Sequence, residues 1–170
     1  MGLMEKAPSP VLVLGIGNLL LSDEAVGVRA IEALAERYEL PPGVDLLDGG
    51  TCGMELIGDM AGREHLIVAD AVLTGAAPGS VVILRDGEVP ALFGRKISPH
   101  QLGLADVLSA LHLTGEFPAR LTLVGVVPHS VAPAIGLSEV VAGSLDTVVA
   151  QLVAALAESG IGVTPKEGNP

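Results

Sequence analysis

Five short aliphatic runs punctuate the chain: Val11 to Leu14, Val44 to Leu47, His65 to Ala69, Ser80 to Leu84 and Leu121 to Val127. Runs with so few polar interruptions suit strands buried on both faces of a parallel sheet. After the first run, Val26, Ala30, Ala33 and Leu34 recur at three and four residues, which predicts a helix from Asp23 with one buried stripe. It fades near Tyr38, because Pro41 and Pro42 cannot continue it. A short helix is expected around Met54 to Met60, and Arg85 to Lys96 reads as an irregular connection. Ser98, Pro99 and Gln101 form a capping-box start for a helix that buries Leu104, Leu108 and Leu111. Leu137 to about Ala157 predicts a long closing helix. The alternation predicts an α/β fold: a three-layer α/β/α arrangement with a mostly parallel, five-stranded twisted sheet and helices on both faces.

Composition narrows this picture. A chain of 170 residues is expected to form one domain, residues 1–170, with residues 1–10 and 164–170 as flexible tails. Hydrophobic residues make up 49% and aromatics 2%, so the core must be built from Leu, Val, Ile and Ala. A formal charge of −11 argues against a nucleic-acid partner, which requires clustered Lys and Arg. No run is read as a membrane span or as a signal peptide: Glu5 offsets Lys6, and Gly and Asn interrupt the first apolar run. The single cysteine, Cys52, excludes an internal disulfide framework and agrees with a cytoplasmic location.

The chemistry concentrates after the first strand, in Val11 to Arg29. Gly15-Ile16-Gly17 opens like the dinucleotide fingerprint G-x-G-x-x-G, but Leu20 stands where the third glycine belongs. Asp48, ending the second strand, can mimic a ribose-binding acid and keeps a nucleotide site open as an alternative. A second pattern is topological. Glu24 follows the first strand, Asp70 ends the third and His100 opens the helix after the fourth, so all three can face the rim where parallel sheets bind ligands. Two carboxylates and an imidazole from three crossovers suit a metal with open coordination positions. Each has a plainer reading: Ser22 or Asp23 as a helix cap, Glu24 as a dipole partner, Asp70 as a loop cap, His100 as decoration of a helix start. His65, His112 and His129 are read as structural or surface residues. Cys52, in a glycine-rich loop, is either a nucleophile or a small buried thiol.

Four stretches in order, GIGNLLLSDEAVGVRAIEAL, LLDGGTCGMELIGDMAGREHLIVADAV, PGSVVILRDGEVPALFGRKISPHQLGLADVLSALHLTGEFP and LTLVGVVP, resemble the nickel–iron hydrogenase maturation endopeptidases. The resemblance runs from about Val11 to Leu156. It implies removal of a C-terminal extension from the hydrogenase large-subunit precursor after nickel insertion. It implies that Glu24, Asp70 and His100 bind nickel brought by the precursor, with no organic cofactor. Many members have Asp where this chain has Glu24, which changes the reach of the ligand by one methylene. Gly17, Asn18, Asp48, Gly49, Gly50 and Thr51 are the residues expected to line the precursor cleft, and Asp23 is a candidate base. Cys52 falls at a variable position of the DGGT-x-G pattern, which disfavours a cysteine nucleophile. The expected assembly is a monomer. A non-catalytic nickel-sensing chaperone and a nucleotide-binding oxidoreductase are the alternatives.

Overall fold

The computed structural model describes residues 8–93 and 102–168. Strand β1 (Val11–Gly15) leads through a 3-10 turn, Ser22–Ala25, into helix α1 (Val26–Arg37). Strands β2 (Tyr38–Glu39) and β3 (Val44–Asp48) follow, then a second 3-10 turn and helix α2 (Ile57–Met60). Next come β4 (His65–Ala71), β5 (Val81–Arg85), α3 (Glu88–Phe93) and α4 (Leu102–Leu113). The chain closes with β6 (Arg120–Val126), α5 (Glu139–Ala142), α6 (Leu145–Glu158) and β7 (Thr164–Pro165).

The main sheet has the order β3-β1-β4-β6-β5. All its pairings are parallel except β5 with β6. The C-terminal ends of β3, β1, β4 and β6 therefore share one rim, as the sequence predicts for a mostly parallel five-stranded sheet. Side chains alternate across the sheet. Val11, Val13, Ile67, Ala69, Val124 and Val126 pack under α1 and α6, while Leu12, Leu14, Leu66, Val68, Leu121 and Leu123 pack under α4 and the α2 turn.

Local expectations are corrected in four places. Residues 85–96 are not wholly irregular, because Glu88–Phe93 is helical with Val89 buried beneath α4. The closing helix is broken between Ala142 and Leu145, where the Ser144 hydroxyl donates to the Gly79 carbonyl at 2.5 Å and ties the break to the β4–β5 connection. Residues 139–158 are apolar and long enough to cross a membrane, with a mean hydropathy of 1.8, contrary to the expectation of no such run. Here Val141, Val148, Val149, Leu152 and Leu156 are spent on the core. The expected tails are also partly tied down. Thr164 and Pro165 pair antiparallel with Glu39 and Tyr38, and Ser9 hydrogen-bonds Asp45, itself held by the buried Arg63 at 2.6 Å. Residues 1–7 and 169–170 lie outside the described residues.

Candidate active site

Three glycines let the rim close tightly. A Cβ on Gly27, in the first turn of α1, would fall on the carbonyl oxygens of Ala69 and Ile16, and one on Gly17 would fall on the Glu24 carbonyl. On Gly15, a Cβ would meet the carbonyl of Gly27 and the Ile31 side chain. The start of α1 thus rests directly on the ends of β1 and β4. The close helix–strand approach that a dinucleotide motif obtains at its third glycine is supplied here by Gly27, seven residues beyond Leu20. A glycine inside the helical stripe, VGVR, was the available signal for it.

The neighbouring loops brace one another. Gly17 N–H donates to the Gly50 carbonyl at 2.7 Å, and Gly49 N–H donates to the Gly15 carbonyl at 2.8 Å. Asp48 Oδ1 accepts from Gly50 N–H at 2.8 Å, an Asx turn, and Gly50 takes a left-handed φ of 54°. Asn18 Oδ1 accepts from Leu20 N–H at 2.9 Å. The residues expected to line the cleft are therefore assembled at the rim. Gly17, Asn18, Asp48, Gly49 and Gly50 hold its two loops in shape, and Thr51 is exposed on the loop.

Glu24 sits in the 3-10 turn ahead of α1 and Asp70 near the end of β4, and both are buried. Strand alternation puts Asp70 on the face of Leu66, Val68 and Cys52, the face covered by α4. Burial pushes the Asp70 carboxyl well above the usual range; the Ala71 N–H opposes this at 2.8 Å, and the nearby Glu24 charge adds to it. The two carboxylates, 46 positions apart in sequence, thus lie within electrostatic reach of each other. The first turn of α4 reaches the same corner, since a Cβ on Gly103 would fall on the Cys52 carbonyl. His100 lies outside the described residues, and among those described no three His, Cys, Asp or Glu side chains are placed to hold a metal.

Asp23 takes a different position from the one its sequence context suggests. Neither it nor Ser22 caps the helix; Ala25 is the N-cap of α1 and Leu21 that of the 3-10 turn, both without a side-chain cap. Asp23 is fully buried, and its Oδ2 accepts from His129 N–H, Ser130 N–H and the Ser138 hydroxyl at 2.9, 2.9 and 2.8 Å. Its Oδ1 accepts from Ser138 N–H at 2.7 Å. Burial alone would raise this carboxyl, but the donors of Ser130, Ser138 and His129 outweigh it and hold it below the usual range. A carboxylate has about four acceptor positions. Three bonds on Oδ2 and one on Oδ1 fasten the β6–α5 loop to Asp23 and leave one acceptor position on Oδ1. Ser138, which also caps α5 through Val141 N–H, was missed in the sequence; Ser-Glu ahead of an apolar run was its only signal.

Cys52 belongs to the core on the Asp70 face. Burial first, then the charges of Asp70 and Glu55, push its thiol up to about 12. The buried-thiol reading therefore holds, and the nucleophile reading does not. The remaining histidines are structural or exposed. His65 is fully buried between the Ser159 and Thr122 hydroxyls at 2.6 and 2.8 Å, His112 stacks on Phe117 at 3.9 Å, and His129 is exposed.

A doubly covered parallel sheet with buried carboxylates on its C-terminal rim defines an α/β protein whose chemistry belongs to its crossover loops. A family model described as hydrogenase maturation protease matches residues 28–155, and the chain belongs to that family. It is 62% identical over 158 residues to the hydrogenase 2 maturation protease of Escherichia coli K12, covering 92% of this chain and 96% of that one. The solved hydrogenase maturating endopeptidase HybD of E. coli matches with a TM-score of 0.89 and 61% identity, over 94% of this chain and 99% of its own. The nickel–iron hydrogenase maturation protease HybD of Thermococcus kodakarensis matches at a TM-score of 0.70 and 28% identity, over 84% and 95%. The protein is accordingly a peptide hydrolase of hydrogenase maturation. The oxidoreductase and pure-chaperone alternatives are set aside.

Proposed function

We propose that this endopeptidase removes the C-terminal extension of a nickel–iron hydrogenase large-subunit precursor once nickel has been inserted. Glu24, Asp70 and His100 would contact the nickel that the precursor carries, so the metal is part of the substrate. The observation that carries this reading is the burial of Glu24 and Asp70 together on the rim. Water solvates two such carboxylates poorly, and a divalent cation between them would compensate both the burial and their mutual repulsion. The packing of Gly103 on Cys52 supports the third contact, because it brings the helix that follows His100 to the Asp70 face.

Contact with the nickel would hold the adjacent peptide bond at the rim. Orientation of this kind contributes several kcal/mol, of order 7 or more in favourable cases. A nickel ion with open positions can polarise a carbonyl or activate water. The protein is proposed to act as a cytoplasmic monomer without an organic cofactor or nucleic-acid partner; its single free cysteine supports the compartment, and its net charge of −11 argues against nucleic acid.

The test is to incubate purified protein with precursor in nickel-loaded and nickel-free forms and to weigh the products by mass spectrometry. Cleavage of only the loaded precursor is expected, and equal cleavage of both would overturn nickel recognition. A folded His100→Ala variant is expected to lose processing; full processing would remove His100 from the site.

A further inference from the structure

Six of the eight most exposed large hydrophobic side chains among the described residues lie on the rim loops: Leu19, Leu20, Met54, Leu73, Val131 and Ile135. The largest exposures there are 62% for Leu20 and 78% for Ile135. Four of the six belong to two loops that the fold fastens together above the end of β4. Ser22 N–H donates to the Ala134 carbonyl at 2.9 Å, Ala134 N–H donates to the Leu20 carbonyl at 3.0 Å, and Leu21 and Ala134 form a parallel bridge. The buried Asp23 carboxylate holds the second loop on both sides of Ala134, at His129 and Ser130 and at Ser138. The backbone of this lip is thus fixed while its leucine and isoleucine side chains stand in water.

We infer that this apolar lip is a docking surface for an uncharged or basic apolar segment of the hydrogenase large-subunit precursor, separate from the contact with nickel; this rests on the proposed function above. Two features select this occupant. The lip is continuous with the rim that carries Glu24 and Asp70, so whatever sits on the lip reaches the site. Among the described residues, the loops 16–25, 49–56, 72–80 and 127–138 contain no Lys or Arg, while Glu55 and the adjacent Asp48 are acidic and exposed. A second copy of this chain would oppose carboxylates to carboxylates at a net charge of −11 each, which disfavours self-pairing. Exposed apolar clusters rimmed by polar groups mark interaction sites, and a prefixed backbone lowers the ordering cost of binding.

The experiment compares wild type with the Leu20→Ser/Ile135→Ser double variant on nickel-loaded precursor, reading KM and kcat from cleavage and affinity from direct binding to the immobilised protein. Both side chains are mostly exposed, so the fold should survive, as circular dichroism will verify. Loss of two apolar anchors is expected to raise KM and Kd about ten- to hundredfold with kcat largely kept. Leu113→Ser, 89% exposed at the far end of α4, should change neither. Unchanged KM and Kd in the double variant would overturn the docking surface while leaving the endopeptidase reading intact. Binding without cleavage by wild type, weakened in the double variant, would support the surface and overturn the proposed reaction. A wild-type dimer that the double variant converts to monomer would show that the lip pairs copies of this chain, which also overturns the proposal.

Discussion

Asp23 accepts both the backbone N–H and the hydroxyl of Ser138, at 2.7 and 2.8 Å, across 115 positions of sequence. One carboxylate at the start of α1 thereby fixes where the β6–α5 loop crosses the rim. Ser138 in turn caps α5, so the placement of that helix depends on the same contact. The residue beside Glu24 is thus part of the frame that holds Glu24.

Replacing Asp23 with Ala should leave the N–H groups of His129, Ser130 and Ser138 without their acceptor. An unmet buried donor costs about 1–3 kcal/mol, so a loss of about 3 kcal/mol in urea unfolding is expected once some of the donors find water. Hydrogen exchange should rise selectively in residues 128–138. Wild-type stability and protection in Asp23→Ala would contradict the latch.

Gly27→Ala should destabilise the protein, although Ala is favoured over Gly by about 1 kcal/mol inside a helix. The added Cβ would strike the carbonyls of Ala69 and Ile16, both backbone atoms that cannot move aside cheaply. Shifting α1 outward would also draw Glu24 from Asp70. Lower thermal stability and impaired processing are expected together; a stabilised variant with normal processing would contradict the close-approach role.

His65 should make the fold sensitive to mild acid. Burial, then the Arg120 charge, depress its pKa, while Glu158 and Asp86 oppose weakly. A depressed histidine binds protons more readily when unfolded, so its contribution is intact above about pH 6.5. It is lost as pH falls from there toward the folded-state value, at no more than about 1.4 kcal/mol per pH unit. Asp23, also depressed, acts at lower pH, below about 3.8. Asp70, raised, works in the opposite direction above that value. The difference in urea stability between wild type and His65→Asn isolates the histidine: it should shrink between pH 7 and pH 5. A constant difference would refute the assignment.

Cys52 should resist alkylation. With the thiol pushed up to about 12, about one molecule in ten thousand carries the thiolate at pH 8. Cys52→Ala should process precursor at close to the wild-type rate, because the side chain fills core space and takes no part in bond cleavage. Rapid modification of the folded protein by iodoacetamide, or loss of processing in a folded Cys52→Ala variant, would reverse this view.

Local patterning determined much of this protein. Aliphatic runs with few polar interruptions specify the strands, because a strand covered on both faces has little polar side to show, and the 3.6-residue stripe specifies α1. Glu24 and Asp70 were legible as rim residues because the end of a parallel strand is a local feature. Cys52 as a buried thiol followed from ordinary packing statistics. What pairs with what was not legible. The antiparallel insertion of β5 beyond β6, the pairing of Tyr38 and Glu39 with Pro165 and Thr164, and the break at Ser144 all depend on partners distant in sequence. Asp23 shows the same division at one residue. Its sequence neighbourhood says helix cap, and only the arrival of Ser130 and Ser138 turns it into a latch. Propensity and periodicity act over a few residues, whereas a buried carboxylate takes whichever donors the completed fold presents to it, and that choice belongs to the tertiary structure alone.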